Sequence, residues 1–230
     1  METFTGFPKD LFDFLEELSE NNTRQWFQAN RERYRESIVE PMTMFIIEMG
    51  KRLQGISTFF IADPRPSGGS MFRIYRDTRF SKDKRPYKEN VGCQFRHTAG
   101  ADVHAPGFYV HMEPGEVFAG GGIWKPPSPV LDRIRTAIVE NPRKWEQMIT
   151  VTKEKKGFLD IEGERLKRPP VGYDPNHPFI EDIKRKSFFS MQNIEPTLAL
   201  KPEFIEITCD IFKGASPLMK FITDSVGLGF

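Results

Sequence analysis

Residues 107–122 read GFYVHMEPGEVFAGGG and carry the clearest structural signal in the chain. Pro114 and Gly115 stand between two apolar runs, and this pattern predicts a β-hairpin. Successive residues of a strand point to opposite faces of the sheet. One face of the first strand would therefore carry Phe108, Val110 and Met112, and the other Tyr109, His111 and Glu113.

Several short apolar runs precede this hairpin and extend the strand pattern towards the N-terminus. They are STFFIA at 57–62, FRIYR at 72–76 and VGCQFRH at 91–97. Turn-forming Pro and Gly residues separate the first two runs. Strands joined by short turns favour antiparallel pairing, so we predict a central antiparallel sheet over about residues 56–122.

Helical patterns flank the predicted sheet on both sides. Residues 10–20 repeat apolar positions at three- and four-residue spacing, and Thr23 is typical of a helix N-cap. The helix that follows should kink or divide at Pro41, which has no N–H to donate. Ser128 and Asn141, each followed by proline, indicate two further helix starts after the sheet.

The remaining sequence completes an α+β pattern. Residues 153–180 are charged and rich in Gly and Pro, which predicts a surface excursion. A helix over Phe179–Lys186 and one or two between Pro202 and Val226 are expected to follow. The order helix, sheet, helix predicts an α+β fold in a single domain spanning residues 1–230.

Composition excludes several classes of protein. The chain has 230 residues and only two cysteines, which excludes a disulfide scaffold and a Cys-rich zinc site. No apolar stretch approaches the roughly 18 residues that a membrane span requires, and the N-terminus lacks a signal-peptide pattern. We expect a soluble cytoplasmic protein without a membrane partner, and the sequence leaves its oligomeric state open.

One segment concentrates positive charge. Residues 71–88 read MFRIYRDTRFSKDKRPYK, with seven basic and two acidic residues, in a chain whose formal net charge is only +1. Such a cluster with interleaved aromatic residues predicts a site for a phosphate- or carboxylate-bearing small molecule. The predicted ligand-binding residues are Arg73, Tyr75, Arg76, Arg79, Lys82 and Lys84.

Strand alternation refines this prediction. If residues 72–76 form a strand, Arg73 and Tyr75 face outward while Phe72 and Ile74 face the core. Should His111 share the outward face, it becomes a candidate for proton transfer, and Asp77 is the second catalytic candidate. The sequence does not decide whether the protein is an enzyme.

Two other interpretations of the basic segment stay open. A nucleic-acid or protein interaction module would use the same loop as a docking patch, with Tyr75, Phe80 and Tyr87 for stacking. A pI near 7.8 makes a nucleic-acid partner the less favoured of the possible partners. In a purely structural interpretation, the segment is a solvated charged loop with its own Asp–Arg pairs, or its arginines form internal ion pairs with acids on neighbouring helices.

The sequence predicts no cofactor and no metal site. Phosphate-binding and hydrolase motifs of the G-x-x-x-x-G-K-[ST], G-x-G-x-x-G and G-x-S-x-G types are absent. None of the four histidines belongs to an H-x-x-x-H or H-E-x-x-H pair. The triple glycine at 120–122 is interpreted as a packing feature, because residues 123–127 separate it from the next helix start.

Four segments together resemble one known family. They are NNTRQWFQANRERY at 21–34, RIYRDTRFSKDKRPYK at 73–88, the strand at 107–113 and AGGGIWKPP at 119–127. In this order and spacing they resemble the family of domain of unknown function 2461, over roughly Phe7 to Leu218. The resemblance implies a compact cytoplasmic domain, found mostly in bacteria with some fungal members. It implies no activity, substrate or catalytic residue.

Overall fold

A computed structural model of the chain describes residues 3–100, 104–154 and 161–230, apart from the side chains of residues 152 and 153. The surface excursion predicted for 153–180 falls partly on residues 155–160, which lie outside the described residues. From residue 161 to residue 179 the chain forms isolated bridges and turns, as predicted for an excursion without regular elements.

The described residues form an α+β structure, which confirms the predicted fold class. The helices are α1 (Asp10–Glu20), α2 (Arg24–Ala29), α3 (Arg31–Tyr34), α4 (Glu40–Leu53), α5 (Ser128–Glu140), α6 (Pro142–Glu154), α7 (Ile180–Ile183), α8 (Pro196–Ala199) and α9 (Phe204–Ser225), with a π-helical turn at Arg35–Val39. The strands are β1 (Val91–Arg96), β2 (Gly107–Glu113), β3 (Glu116–Ile123) and β4 (Phe188–Ile194).

The four strands form one antiparallel sheet in the order β1-β2-β3-β4. The predicted hairpin is confirmed, since Glu113 pairs with Glu116 across the two-residue turn Pro114–Gly115. Gly115 has φ 82°, a conformation that glycine adopts without steric strain. This turn fixes the register, and with it the face on which every side chain of β2 and β3 lies.

The sheet extends beyond the predicted range of 56–122, because β4 lies much later in the chain. β4 pairs with β3 after an excursion through α5, α6 and α7. The sequence of β4 lacks a clean alternation: Phe188 is buried on one face, while Phe189 and Met191 lie on the other. Because apolar residues occupy both faces, the two-residue period that would indicate a strand is hidden.

The runs at 57–62 and 72–76 are not strands, contrary to the prediction. Both segments contact the outer edge of β1 through single backbone hydrogen bonds, from Ile61 to Arg96 and from Phe72 to Gly92. Isolated bridges lie beside them, between Phe60 and His97 and between Met71 and Cys93. The intervening residues 63–69 include two prolines, which cannot donate to a strand partner. The result is an interrupted edge, which protects β1 against pairing with other chains.

The core lies on one side of the sheet, where α9 packs against β2, β3 and β4. Phe108 of β2 stacks on Phe212 of α9 with ring centroids 4.7 Å apart. A second apolar cluster forms where α5 and α6 meet the C-terminal part of α9, around Trp145 and Phe221. Even α9, with 22 residues, is not apolar enough to cross a membrane, and neither is any other described helix.

The N-terminal helices match the predicted pattern closely. α1 spans the predicted residues, and the Thr23 side chain accepts a hydrogen bond from the backbone N–H of Trp26 at the start of α2. The predicted long helix is divided, with a π-helical turn directly before the Glu40–Leu53 helix. Pro41 supplies the reason, since it lacks the N–H of a regular helical hydrogen bond.

An ion pair joins the first helices. The Arg33 guanidinium donates to Asp10 at 2.6 Å and to Glu17 at 2.8 Å. This contact lowers the pKa of Asp10 below its ordinary value of 3.8, with Ser37 contributing a further hydrogen bond. A depressed carboxyl pKa stabilises the fold above the unfolded pKa, and this stability is lost as the pH falls through the folded pKa.

We expect Asp10→Asn to lower the free energy of unfolding by roughly 1 kcal/mol at pH 7, since the pair is partly exposed and screened by solvent. The difference from the unmodified chain should shrink as the pH falls below about 3.8 and through the lowered pKa of Asp10. Urea denaturation at several pH values measures both effects. Asp13→Asn, which removes only an exposed pair with Lys9, is the matched control. A loss that does not shrink as the pH is lowered would contradict the prediction.

Candidate functional site

The face of the sheet opposite α9 is open and forms a cavity of about 760 Å³. Its floor consists of side chains from successive strands, among them Tyr109 on β2, Phe118 on β3 and Phe189 on β4. Lys88 and Phe72 line it beside β1, because the backbone N–H of Phe72 donates to Gly92. Trp124, 48% exposed and in contact with the Phe189 ring, lines it beside β4.

Two glycines leave space for this cavity because they have no side chain above the sheet. Gly92 and Gly107 share the open face with His111 and Tyr109 through the strand register. A Cβ atom at Gly92 would lie 2.7 Å from the Tyr109 hydroxyl oxygen, and one at Gly107 would lie 2.9 Å from the side-chain nitrogen of Gln94. Larger residues at these positions would displace the side chains that form the cavity wall.

The triple glycine divides between the two faces of the sheet. Gly121 faces the core, where an added Cβ atom would lie 2.9 Å from the Phe108 ring. Gly122 lines the cavity. An added Cβ atom at Gly122 would clash with the backbone of Phe188 and Phe189 on β4. Close packing, as predicted for this run, therefore accounts for both glycines.

His111 lies at the centre of a polar group in the cavity. Its Nδ1 is 2.9 Å from the Tyr109 hydroxyl oxygen, and its Nε2 is 3.3 Å from a carboxylate oxygen of Glu113. The imidazole ring stacks on Phe118 with a centroid distance of 4.6 Å. Burial raises the pKa of Tyr109, which keeps its hydroxyl protonated and available for hydrogen bonding.

Lys88 is the basic residue of the cavity. Its Nζ lies 5.3 Å from the centre of the Phe72 ring, and among the described residues no ion pair includes it. Burial, and to a smaller extent the charge of Arg73, lower the pKa of Lys88. Glu162 lines the same cavity, and burial raises the pKa of its carboxyl group. Both groups are therefore in surroundings that disfavour their charged forms.

The predicted ligand-binding residues lie outside this cavity. Residues 74–76 and 86–88 pair with each other, so the basic segment folds back on itself with residues 77–85 at its tip. Arg76 pairs with Asp83 at 2.6 Å, and Arg79 pairs with Asp77 at 2.7 Å. The Lys84 ammonium donates to the backbone carbonyl of Thr78. Arg73, Tyr75 and Lys82 are exposed to solvent.

Of the two catalytic candidates, the cavity contains His111 and not Asp77. Hydrogen bonds from the side chain and backbone of Arg79 lower the pKa of Asp77 to about 2. The partners Asp77 and Asp83 belong to the loop itself and not to neighbouring helices, so these ion pairs favour the interpretation of a charged loop with its own Asp–Arg pairs. The binding role predicted for the basic segment has no direct test in these contacts and stays a prediction.

The alternation assumed for residues 72–76 predicted the burial of some of these side chains correctly. Ile74 is buried and Tyr75 is 54% exposed, as predicted, whereas Phe72 lines the cavity rather than entering the core. Tyr87, proposed for stacking on a partner, is buried and stacks on Phe27 with centroids 4.1 Å apart. A pocket was predicted at the basic segment, whereas the cavity lies on the open face of the sheet, where the alternation of residues 107–113 places Tyr109 beside His111.

The family resemblance is confirmed by a direct comparison. The model of a family described as conserved hypothetical protein, DUF2461, matches residues 10–221, a range that includes all four strands and the cavity. A comparison with curated proteins gives no match. Because the family model covers most of the chain, this protein belongs to the DUF2461 family of conserved hypothetical proteins.

Proposed function

We propose that this protein binds a small organic molecule carrying a phosphate or carboxylate group in the cavity on the open face of the sheet. One observation carries the proposal: Lys88, a partly buried cation, lines an aromatic cavity and belongs to no ion pair within the described residues. An anionic group placed beside its ammonium would supply the missing counter-charge.

The energetic argument follows from the surroundings of Lys88. Burial and Arg73 both disfavour its positive charge, as the lowered pKa shows. A bound anion reverses both effects, because it attracts the ammonium and lies near a second cation. A hydrogen bond to a charged group contributes about 1.5–3 kcal/mol, which is enough to determine whether a small ligand binds.

The other residues that line the cavity indicate the chemical character of the rest of the ligand. Cavities of a few hundred to a thousand Å³ lined by aromatic residues are typical of small-molecule sites, and this cavity of about 760 Å³ is within that range. The rings of Phe118, Phe189 and Trp124 suit an apolar or aromatic body. Glu116 and Glu162 also line the cavity, so a ligand with hydroxyl or amino donors on its far side fits best.

We expect Lys88→Met to weaken binding of such a ligand by about 10- to 100-fold, because methionine retains the apolar stem and removes the charge. The probes are a panel of phosphorylated and carboxylated metabolites, first screened by thermal shift and then titrated calorimetrically. Lys82→Met is the matched control, because Lys82 is an exposed lysine of the same basic segment. The unmodified chain should bind one ligand, and the control should bind it equally well.

The same titrations separate this proposal from the prediction based on the loop tip. If Arg79→Met or Lys82→Met weakens binding while Lys88→Met does not, the anion binds at the tip of the basic segment and the cavity proposal is wrong. If no member of the panel shifts the melting temperature, both versions of the anion site are unsupported. These outcomes also show whether the exposed arginines serve only the structure of the loop.

A second candidate function is supported by the exposure of Phe80. Its side chain is 95% exposed at the loop tip, with the Arg79 guanidinium 5.9 Å from the ring centre. An exposed aromatic beside cations suits docking to a nucleic acid or to another protein. Titration with a single-stranded oligonucleotide tests the first partner, since such binding weakens steeply with salt and should be lost in Phe80→Ala.

If the bound molecule is also converted by the metal-free protein, His111 is our proposed proton-transfer group. It lies inside the cavity, and its ring is oriented by the Tyr109 hydroxyl. Asp77 does not line the cavity and is engaged with Arg79. An activity found for an identified ligand should therefore be lost in His111→Gln and retained in Asp77→Asn.

A further inference from the structure

We infer that His111, Glu113 and Glu116 form a binding site for a divalent transition-metal ion at the edge of the cavity. Each residue offers one ligand atom, and these three atoms all lie within 4.8 Å of one another. Imidazole nitrogen and carboxylate oxygen together suit ions such as Zn²⁺ and Mn²⁺. This inference does not depend on the proposed function, since the ion can be tested without any organic ligand.

The hairpin explains why these groups converge. A two-residue turn makes Glu113 and Glu116 direct cross-strand neighbours. His111 precedes Glu113 by two residues, so its side chain lies on the same face of β2. The ligands therefore come from both strands of one hairpin, and this is why a search for paired histidines along the sequence does not find them.

The spacing of the ligand atoms suits a metal ion. The His111 Nε2 and a Glu113 carboxylate oxygen are 3.3 Å apart. Two ligands at about 2.0–2.1 Å from a tetrahedral zinc ion are separated by about 3.4 Å. Glu116 is exposed and long enough to adjust, so it can complete the set without moving the backbone.

The charges provide a second, independent argument. Two carboxylates directly opposite each other across a hairpin repel and destabilise it. In the part of the chain that the structure describes, no lysine or arginine forms an ion pair with either Glu113 or Glu116. By contrast, most of the acidic residues in α1 and α4 have a lysine or arginine partner. A divalent cation would neutralise this pair.

The surroundings of His111 match those of a metal-binding imidazole. Such a histidine usually has its second ring nitrogen hydrogen-bonded, which fixes the ring orientation. Here the Tyr109 hydroxyl oxygen lies 2.9 Å from Nδ1, leaving Nε2 directed towards the carboxylates. With a metal ion on Nε2, Nδ1–H donates to the Tyr109 oxygen. Tyr109 is thus a positioning residue.

Three protein ligands leave coordination positions of the ion open. His111 and Glu116 both line the cavity, so these positions face the space available to a small molecule. An open metal site of this kind binds water or an oxyanion. A phosphate or carboxylate group would therefore meet the ion on one side of the cavity and Lys88 on another.

The experiment uses the full chain, stripped of metal with a chelator and titrated with Zn²⁺ or Mn²⁺ alone. We expect calorimetry to show one ion bound per chain. Glu113→Gln and Glu116→Gln should each weaken binding about 10-fold or more, and the double variant should lose it. Tyr109→Phe should weaken binding about 10- to 100-fold. Glu162→Gln, which removes a carboxylate of the same cavity outside the cluster, should bind normally.

Melting temperatures provide a second measurement, which can be made even on variants that no longer bind the metal ion. Without metal, Glu116→Gln should melt at the same or a slightly higher temperature, because it relieves repulsion. With excess Zn²⁺ the unmodified chain should be the more stable of the two. Absence of a stoichiometric ion, or an ion that still binds to the double variant as tightly, would overturn the inference. Because the ligand titrations with Lys88 variants are separate, the two proposals can fail independently.

Discussion

Phe108→Ala is expected to lower the free energy of unfolding by about 3–5 kcal/mol. The Phe108 side chain has no solvent exposure and lies between the sheet and α9. Its ring stacks on Phe212 at 4.7 Å and contacts Phe60 at 4.9 Å. Alanine would remove this buried surface and leave a cavity that the rigid sheet cannot fill.

Phe118→Ala is the matched control, with the same change on the other face of the hairpin. Phe118 lines the open cavity and is only partly buried, so its loss should lower the free energy of unfolding by about 1 kcal/mol. Urea denaturation followed by circular dichroism measures both variants. Equal losses in the two variants would contradict the assignment of a core face and an open face.

Arg135→Met is expected to lower the free energy of unfolding by about 2–4 kcal/mol. Arg135 on α5 is 5% exposed, and its guanidinium donates to the backbone carbonyls of Ile183 at 2.7 Å and of Arg185 at 3.1 Å. Methionine fills a similar volume but cannot donate. Each buried carbonyl that loses its donor costs about 1–3 kcal/mol.

The loss of the Arg135 hydrogen bonds should also affect β4, which lines the cavity. The carbonyl of Ile183 ends α7, and that of Arg185 lies between α7 and β4. Asp182 of α7 accepts a hydrogen bond from the Trp145 indole at 2.9 Å. Hydrogen exchange should show the amides of residues 188–194 less protected in Arg135→Met. Arg133→Met, an exposed neighbour on α5, should change stability by less than about 0.5 kcal/mol. Unchanged protection of β4 would contradict a role for Arg135 in positioning that strand.

The hairpin was predictable because its information is local. Alternation in residues 107–113 and the Pro114–Gly115 turn lie within one short window, and together they fix both the pairing and the two faces. The same holds for α1 and for the Thr23 cap, where spacing and one side chain are sufficient. These features need no knowledge of the rest of the chain.

The edge segments and β4 were not predictable in the same way. Residues 57–62 have strand-like composition, but whether they form a ladder depends on the loop of prolines that follows and on how it fits against β1. β4 depends on a partner, β3, more than sixty residues earlier in the chain. Pairing at such distance is determined by packing against α9 and not by local preference.

The charged residues show this division most clearly. Their number and concentration in residues 71–88 are properties of the sequence, but ion pairs formed on folding engage Arg76 and Arg79. Lys88 differs from them because residues 86–88 return along residues 74–76 before β1 begins, and Lys88 then lines the cavity on the open face of the sheet. The sequence determines which residues carry charge. Whether a charged side chain reaches a cavity or has an ion-pair partner depends on residues that come close only in the folded chain.

Local spacing was thus enough to establish the α+β class, the hairpin and the common face of Tyr109 and His111. The cavity, the place of Lys88 in it and the approach of His111 to two carboxylates required the folded chain. The physical reason is the distance along the chain over which each effect acts. Backbone preference and alternation depend on a few consecutive residues, whereas burial and electrostatic interactions depend on all residues that packing brings close together.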